Sequence, residues 1–306
     1  EVDGLPWELG HKNVEDYIET AREAAKAMKA VDNTIKLVAC GSSWYSNGDW
    51  DEWNRKVLAG LGDRIDYLSI HSYWENAPEY YTYMGASAMI FEQRIRLTQH
   101  EIETLSATRG FRNSIGLSVD EWGAFGRNFL NVLAVAQSFN SFVRHADAVK
   151  MGNFTAMTSL LSNDPKRGSY KTPLFYTFKL FSNNCLGASV DTYVECDTFN
   201  TDKFKGIPYL DVTTVYNREG NAVFVNVINR HQDKSIRSSI QNTTGLFSGE
   251  AEVSTINSES LSAPFVFEKT ADYLPKTTKL SVSGDRLDYV FPPHSFTQIR
   301  LAVRKK

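Results

Sequence analysis

The chain reads as α/β followed by all-β: the C-terminal half of a (β/α)8 TIM barrel, then an antiparallel β-sandwich. Three observations predict this. Strand-like apolar runs alternate with helical periods through the first part of the chain, which implies βαβ units and a parallel sheet. Short alternating runs rich in Val, Thr, Tyr and Phe then follow without helices, as in a sandwich. Glu121 closes a strand-like segment and Glu1 opens the chain where another is expected to end, and a barrel opens the C-terminal ends of its strands on one face, where catalytic groups gather. The expected domains are 1–184, a partial barrel holding strands 5–8 and the end of strand 4, and 185–306, the sandwich.

Taken in order, residues Val14 to Val31 place Tyr17, Ile18, Ala21, Ala24, Ala25, Met28 and Val31 at helical spacing. Ile35 to Gly41 reads as a strand ending in a glycine turn, and Asp51 to Leu61 as a short helix. Ile65 to His71 is the next strand, followed by a long helix over about Tyr80 to Ser106. Ile115 to Trp122 forms the strand that carries Glu121. A helix over about Asn131 to Arg144 and a strand from Ala148 to Phe154 complete the series, and Thr172 to Phe181 is a closing helix. Sandwich strands are expected at Gly187–Cys196, Tyr209–Tyr216, Asn221–Ile228, Gly249–Ile256, Lys279–Val282 and Leu287–Phe291. The turn chemistry of Asn217 to Gly220 and of Ser283 to Asp285 separates neighbouring runs. With Glu1 at the end of strand 4, His71 ends strand 6, Glu121 ends strand 7 and Phe154 lies at the end of strand 8. The count then closes on eight, with the earlier strands outside this chain.

The 306 residues are 42% hydrophobic and 23% charged, enough for one large core or two medium ones. A formal net charge of −3 gives no support to a nucleic-acid partner. No run approaches the length of apolar residues that spans a bilayer, so no membrane partner is expected. Cys40, Cys185 and Cys196 show no metal-ligand spacing, and neither a metal nor a cofactor is expected. Cys185 and Cys196 could pair in an oxidising compartment; three thiols fit equally well. The start on Glu1, without an initiator methionine, reads as the C-terminal portion of a longer protein, so that any targeting signal would lie upstream.

Two glutamates at the mouth of a barrel are the groups that retaining glycoside hydrolysis requires. One protonates the leaving oxygen and the other attacks the anomeric carbon. The nucleophile must stay ionised while the acid keeps a proton, so their surroundings must differ. His71 and Tyr73, two residues apart on one strand and therefore on one side of it, can set that difference beside Glu121. Most of the aromatic rings belong to packing, but Trp7, Trp44, Trp74 and Trp122 follow strand ends and are candidates to line a sugar cleft. Trp50 and Trp53, at helical spacing, read as core.

These residues resemble glycoside hydrolase family 51, the retaining α-L-arabinofuranosidases. Glu1-Val2-Asp3-Gly4-Leu5-Pro6-Trp7, continuing to Gly10-His11-Lys12, looks like that family's acid/base motif. Val38 to Ser43 is similar to its strand 5 end, and His71 and Tyr73 match its His-x-Tyr, whose Tyr hydrogen-bonds the nucleophile. Asp120-Glu121-Trp122 matches the nucleophile motif, and His145 to Met151 is similar to the entry into strand 8. The resemblance implies Glu1 as acid/base, Glu121 as nucleophile and a jelly-roll sandwich. It also implies a plant cell-wall polysaccharide or oligosaccharide substrate such as arabinan or arabinoxylan, and a homo-oligomer, since family members are often hexamers.

The chain departs from the family pattern in ways that bear on the sugar. Gly123-Ala124-Phe125 stands where the family usually continues with Asn, Ala156 stands where it often places an arabinose-contacting Gln, and Leu5 is an insertion. A β-glucan or xylan hydrolase of the same family is therefore a second expectation, and a non-catalytic glycan-binding protein a third. Half a barrel exposes strand edges, so the 306 residues by themselves are expected to be inactive.

Overall fold

The computed structural model describes residues 10, 12–43, 50–74, 77, 79–123, 126–155 and 159–305. The chain divides into two compact units. One comprises Glu1–Trp74, Ile90–Gly123 and His145–Thr155; the other comprises Glu75–Met89, Ala124–Arg144 and Ala156–Lys306.

The first half of the chain runs α1 (Val14–Val31), β1 (Val38–Ala39), α2 (Trp50–Leu61), β2 (Tyr67–Tyr73), α3 (Tyr80–Arg109), β3 (Gly116–Gly123), α4 (Phe129–Arg144) and β4 (Val149–Phe154). Helix α1 starts where Asn13 caps it, its side chain accepting from the Asp16 amide at 2.8 Å, with Glu15 and Asp16 in the first turn suiting the helix dipole. The four strands form one sheet in the order β1-β2-β3-β4, every pair parallel. Leu68, Ile70, Leu117 and Val119 are fully buried in it, as expected of a parallel sheet covered on both faces.

Strand β1 is much shorter than the run Ile35 to Gly41 suggests, because side chains take over the ladder at both ends. Asp66 accepts from the Leu37 amide at 2.9 Å. The Cys40 amide donates to Tyr17 Oη at 2.7 Å, and the Ser42 amide to Asn54 Oδ1 at 2.8 Å. Gly41 is required here, since a Cβ would lie 2.0 Å from the Ser69 carbonyl oxygen. Outside β1 an apolar groove of about 300 Å³ is lined by Tyr17, Ala21, Met28, Leu37, Val38 and Ile65. Trp53 is core, stacked on Tyr17 at 5.6 Å.

The second half holds the hairpin β5 (Leu161–Asp164) and β6 (Gly168–Lys171), helix α5 (Pro173–Asn184), and β7 (Ala188–Val190). A short pair, β8 (Thr198–Phe199) and β9 (Ile207–Pro208), precedes β10 (Leu210–Asn217), β11 (Ala222–Asn229), β12 (Ile236–Gln241), β13 (Gly245–Ile256), β14 (Lys276–Gly284), β15 (Arg286–Phe291) and β16 (Ser295–Lys305). Six of these form a sheet in the order β14-β13-β16-β11-β10-β7, and β12 pairs with β15; the pairings are antiparallel. Leu287 and Phe291 of the pair share one core with Val225, Val253, Ile299 and Leu301 of the sheet, and Ile240 packs against it. Two sheets closed over a common apolar layer make a β-sandwich. The expected strand Gly187–Cys196 survives only as Ala188–Val190, whereas β12 and the central β16 are additional to the expected set. Phe181 of α5 stacks on Phe139 of α4 at 4.6 Å and on Phe296 of β16 at 4.9 Å. None of the three cysteines forms a disulfide.

Candidate active site

The site is built at the C-terminal ends of β2 and β3, and a bulge makes it. Ile70 pairs with Val119, but the next pair is His71 with Glu121. Asp120 is therefore the extra residue of a β-bulge, the device that re-aims side chains beside active sites. In an unbroken register His71 would lie beside Asp120 and Glu121 would point to the opposite face. The bulge instead aligns Glu121 with His71 and, two residues on, with Tyr73.

The contacts follow from that alignment. Tyr73 Oη donates to Glu121 Oε2 at 2.9 Å. His71 Nδ1 lies 3.5 Å from the same Oε2, and His71 Nε2 lies 3.4 Å from Asp120 Oδ1. The imidazole is thus held between two carboxylates. It is buried, while about a third of the Glu121 side chain (34%) stays open to solvent. A carboxylate fixed by a phenol and an imidazole, with one side accessible, has the stance of a nucleophile or general base.

Support comes from α3. Arg94 Nη1 donates to the Tyr73 carbonyl at 2.9 Å and to Ser72 Oγ at 3.2 Å. Trp74 and Trp122, candidates for the cleft wall, are buried. Their rings join a row in which Trp74 meets Phe91 at 6.2 Å, Phe91 meets Trp122 at 6.1 Å and Trp122 meets Phe154 at 5.0 Å. Gly123 has φ +136°, and a Cβ there would lie 2.6 Å from Phe154 Cε2. The Phe154 ring therefore fills the space that a side chain at 123 would need.

Glu1, Trp7 and Trp44 lie outside the described residues, as do Ala124, Phe125 and Ala156. Among the described candidates, the structure brings His71, Tyr73 and Glu121 together and places Trp74 and Trp122 behind them. Two participants were not singled out in the sequence. Asp120 is visible there only as the neighbour of Glu121, since nothing in a strand pattern announces a bulge. Arg94 sits mid-helix, where an arginine gives no signal of what it reaches. Among the described residues, no group of three or more His, Cys, Asp or Glu side chains is arranged to hold a metal ion.

Comparison with known proteins bears on this arrangement. The family model described as the alpha-L-arabinofuranosidase C-terminal domain matches residues 120–295, starting at the Asp120-Glu121 pair. An intracellular exo-alpha-(1->5)-L-arabinofuranosidase of Halalkalibacterium halodurans is 27% identical over 261 residues, covering 77% of this chain and 52% of that protein. An exo-alpha-(1->6)-L-arabinofuranosidase of Bifidobacterium longum is 25% identical over 340 residues, covering 98% of this chain and 64% of that protein. The chain spans about half the length of the first of these relatives (52%). Among solved structures, a family 51 alpha-L-arabinofuranosidase of Bifidobacterium longum superposes with a TM-score of 0.88 at 17% identity, covering 98% of this chain and 65% of that one. The alpha-L-arabinofuranosidase of Thermotoga maritima in its arabinose complex gives 0.82 at 23% identity, with 98% and 64% covered. These likenesses show the fold. Matching more than half of the residues, the family model shows that the chain belongs to the alpha-L-arabinofuranosidase C-terminal domain family, the C-terminal portion of glycoside hydrolase family 51.

Proposed function

We propose that the protein to which this chain belongs is a retaining glycoside hydrolase that releases terminal α-L-arabinofuranosyl residues from arabinan- or arabinoxylan-type glycans. The observation that carries the reading is the 2.9 Å hydrogen bond from Tyr73 to Glu121 at the ends of two parallel strands. Glu121 acts as the nucleophile. Its free oxygen attacks the anomeric carbon while Glu1, the acid/base, gives its proton to the departing glycosidic oxygen. Glu1, then ionised, takes a proton from water, which attacks the anomeric carbon and displaces Glu121. In a retaining site the two carboxyl groups stand about 5–5.5 Å apart. Tyr73 and His71 stabilise the negative charge that Glu121 carries before attack and regains on release. The carboxylates supply both proton transfer and the covalent intermediate, so the chemistry calls for no cofactor.

In this reading residues 1–184 form strands 5–8 of a (β/α)8 barrel with the end of strand 4, and residues 185–306 the jelly-roll sandwich. Four parallel strands in sequential order, with an apolar groove outside β1, support a barrel continued by preceding strands. The 306 residues alone are then inactive. Trp7 and Trp44 stay candidates for sugar contact on their sequence positions alone, and Trp74 and Trp122 hold the strand ends from behind.

A second reading keeps the two-glutamate chemistry and changes the sugar to a β-linked glucan or xylan. It is favoured by the Phe154 ring in the space of a residue-123 side chain, an apolar surface where the family pattern has a polar one. The polypeptide extended by its N-terminal half, assayed on aryl α-L-arabinofuranoside, β-xyloside and β-glucoside, separates these readings. Arabinofuranoside turnover is expected; turnover of the comparators alone moves the substrate. Silence on all three, with glycan binding retained, would contradict hydrolysis and leave a binding protein.

A further inference from the structure

We infer that Arg94 is a positioning residue for the Tyr73–Glu121 hydrogen bond, acting through the main chain of Tyr73 without touching substrate. The inference rests on the reading of Glu121 as nucleophile. Tyr73 is the last residue of β2 and pairs with Gly123, the last of β3. Beyond a strand's last pair the ladder no longer fixes the backbone, yet here the phenol must reach a carboxylate oxygen to within 2.9 Å. Arg94 adds a constraint from the first unit's part of α3. One guanidinium nitrogen donates to both the Tyr73 carbonyl and the Ser72 hydroxyl. It thereby ties two consecutive residues of the strand end.

Such bonds from a charged donor are shorter and stronger than neutral ones. The planar guanidinium also loses less freedom per bond than a lysine ammonium would. The Tyr73 carbonyl and the Tyr73 ring leave the same residue, so a shift of the carbonyl tilts the Cα–Cβ bond and swings the hydroxyl. A movement of well under an ångström at the backbone is enough to break a hydrogen bond of this length. Among the described residues, the charged and titratable groups around Glu121 are His71 and Tyr73 from β2 and Asp120 from β3, and the proposed function adds Glu1. From β4 the neighbouring side chain is Phe154, which carries no charge.

The test is a double-mutant cycle in the polypeptide extended by its N-terminal half, on whichever aryl glycoside the wild type turns over. Arg94→Met and Tyr73→Phe are each expected to lower kcat about tenfold, the scale of one hydrogen bond to a charged group. Each is also expected to move the acid limb of the kcat/KM profile to higher pH by a similar amount, because the carboxylate loses its donor. The double variant should be no worse than Tyr73→Phe alone. Arg94→Lys, which keeps the charge, should fall between wild type and Arg94→Met and serves where the latter does not fold. Additive losses in the double variant, or an acid limb that Arg94→Met leaves in place, would overturn the proposal. A purely structural role would lower the melting temperature without moving that limb.

A crystal structure of Arg94→Met or Arg94→Lys reads the same question without activity. A Tyr73–Glu121 separation opened beyond about 3.5 Å is expected, and an unchanged bond would contradict the proposal. If the wild type turns over no aryl glycoside, the functional reading fails, while the crystallographic distance still decides the role of Arg94.

Discussion

Glu121 and Asp211 are both carboxylates at the ends of strand pairs, and the chain treats them in opposite ways. Glu121 takes one short hydrogen bond, from Tyr73, and the more distant approach of His71, and a third of its side chain stays open. Asp211, only 3% exposed, is gripped by Arg144 at 2.7 Å and Arg230 at 2.9 Å. Around it runs a buried polar network. Asn140 donates to the Asp211 carbonyl at 3.2 Å and accepts from Thr213 at 2.7 Å, and Gln298 donates to Asn226 at 2.7 Å. Arg230 also reaches Gln137, which donates to Ser87 at 3.0 Å. Burial of charge demands such pairing. In the proposed function Glu121 must attack, so it cannot be satisfied in this way, because its unused lone pairs are the reagent. The difference between the two sites is therefore one of spare capacity.

Exchanging function for stability at the two carboxylates tests that difference most severely. Glu121→Gln should cost turnover roughly 10⁴-fold or more, the scale of losing a nucleophile, with an unchanged melting temperature. An active Glu121→Gln would break the comparison. Asp211→Asn should do the reverse. Leaving the buried Arg230 without its anion costs about 3–5 kcal/mol, read as a lowered denaturation midpoint, while activity per folded molecule is kept. A midpoint equal to wild type would show that the network is not what holds this region.

Glu101 offers a smaller and pH-dependent contrast. Burial pushes its carboxyl up to about 7, and Asp51 adds to that; a hydrogen bond with Asn54 and the charge of Arg55 act the other way. An unfolded glutamate titrates near 4.3. Between that value and about 7 the folded chain holds a proton the unfolded chain has lost, so stability falls as pH rises through the window and is level above it. Glu101→Gln should remove this slope, gaining stability over wild type at pH 8 and none at pH 4. Parallel stability profiles of the two proteins would contradict it. The smallest effect concerns Cys185, whose thiol burial raises to about 11 against a hydrogen bond with Asn226. Thiol reagents at pH 8 should label it last among the three cysteines, and early labelling would show that the network around Asn226 opens readily.

Much of this was legible in the chain because apolar periodicity and helix caps are local. Helix α1 runs from Val14 to Val31 as its spacing indicates, and the parallel order of four strands follows from their alternation with helices. Strand β1 is shorter than its apolar run because Asp66, Tyr17 and Asn54, all distant in sequence, take its backbone groups. Strand β16 is hard to read in the sequence although Ile299, Leu301 and Val303 alternate, since Arg300 and Arg304 on the other face mask a strand with one buried face. At the site the motif residues Glu121, His71 and Tyr73 were readable, but not the bulge at Asp120, which depends on how two strands slip past each other. Arg94 was invisible for the same reason: its role lies in what it reaches across the fold.

Trapping the covalent intermediate examines the central claim most directly. The extended polypeptide would be treated with a 2-deoxy-2-fluoro-α-L-arabinofuranosyl donor bearing a good leaving group, digested and sequenced by mass spectrometry. The sugar should appear on Glu121, with Glu121→Gln unlabelled. Time-dependent inactivation with the sugar on Asp120 or any other residue would contradict the assignment of Glu121 as the nucleophile.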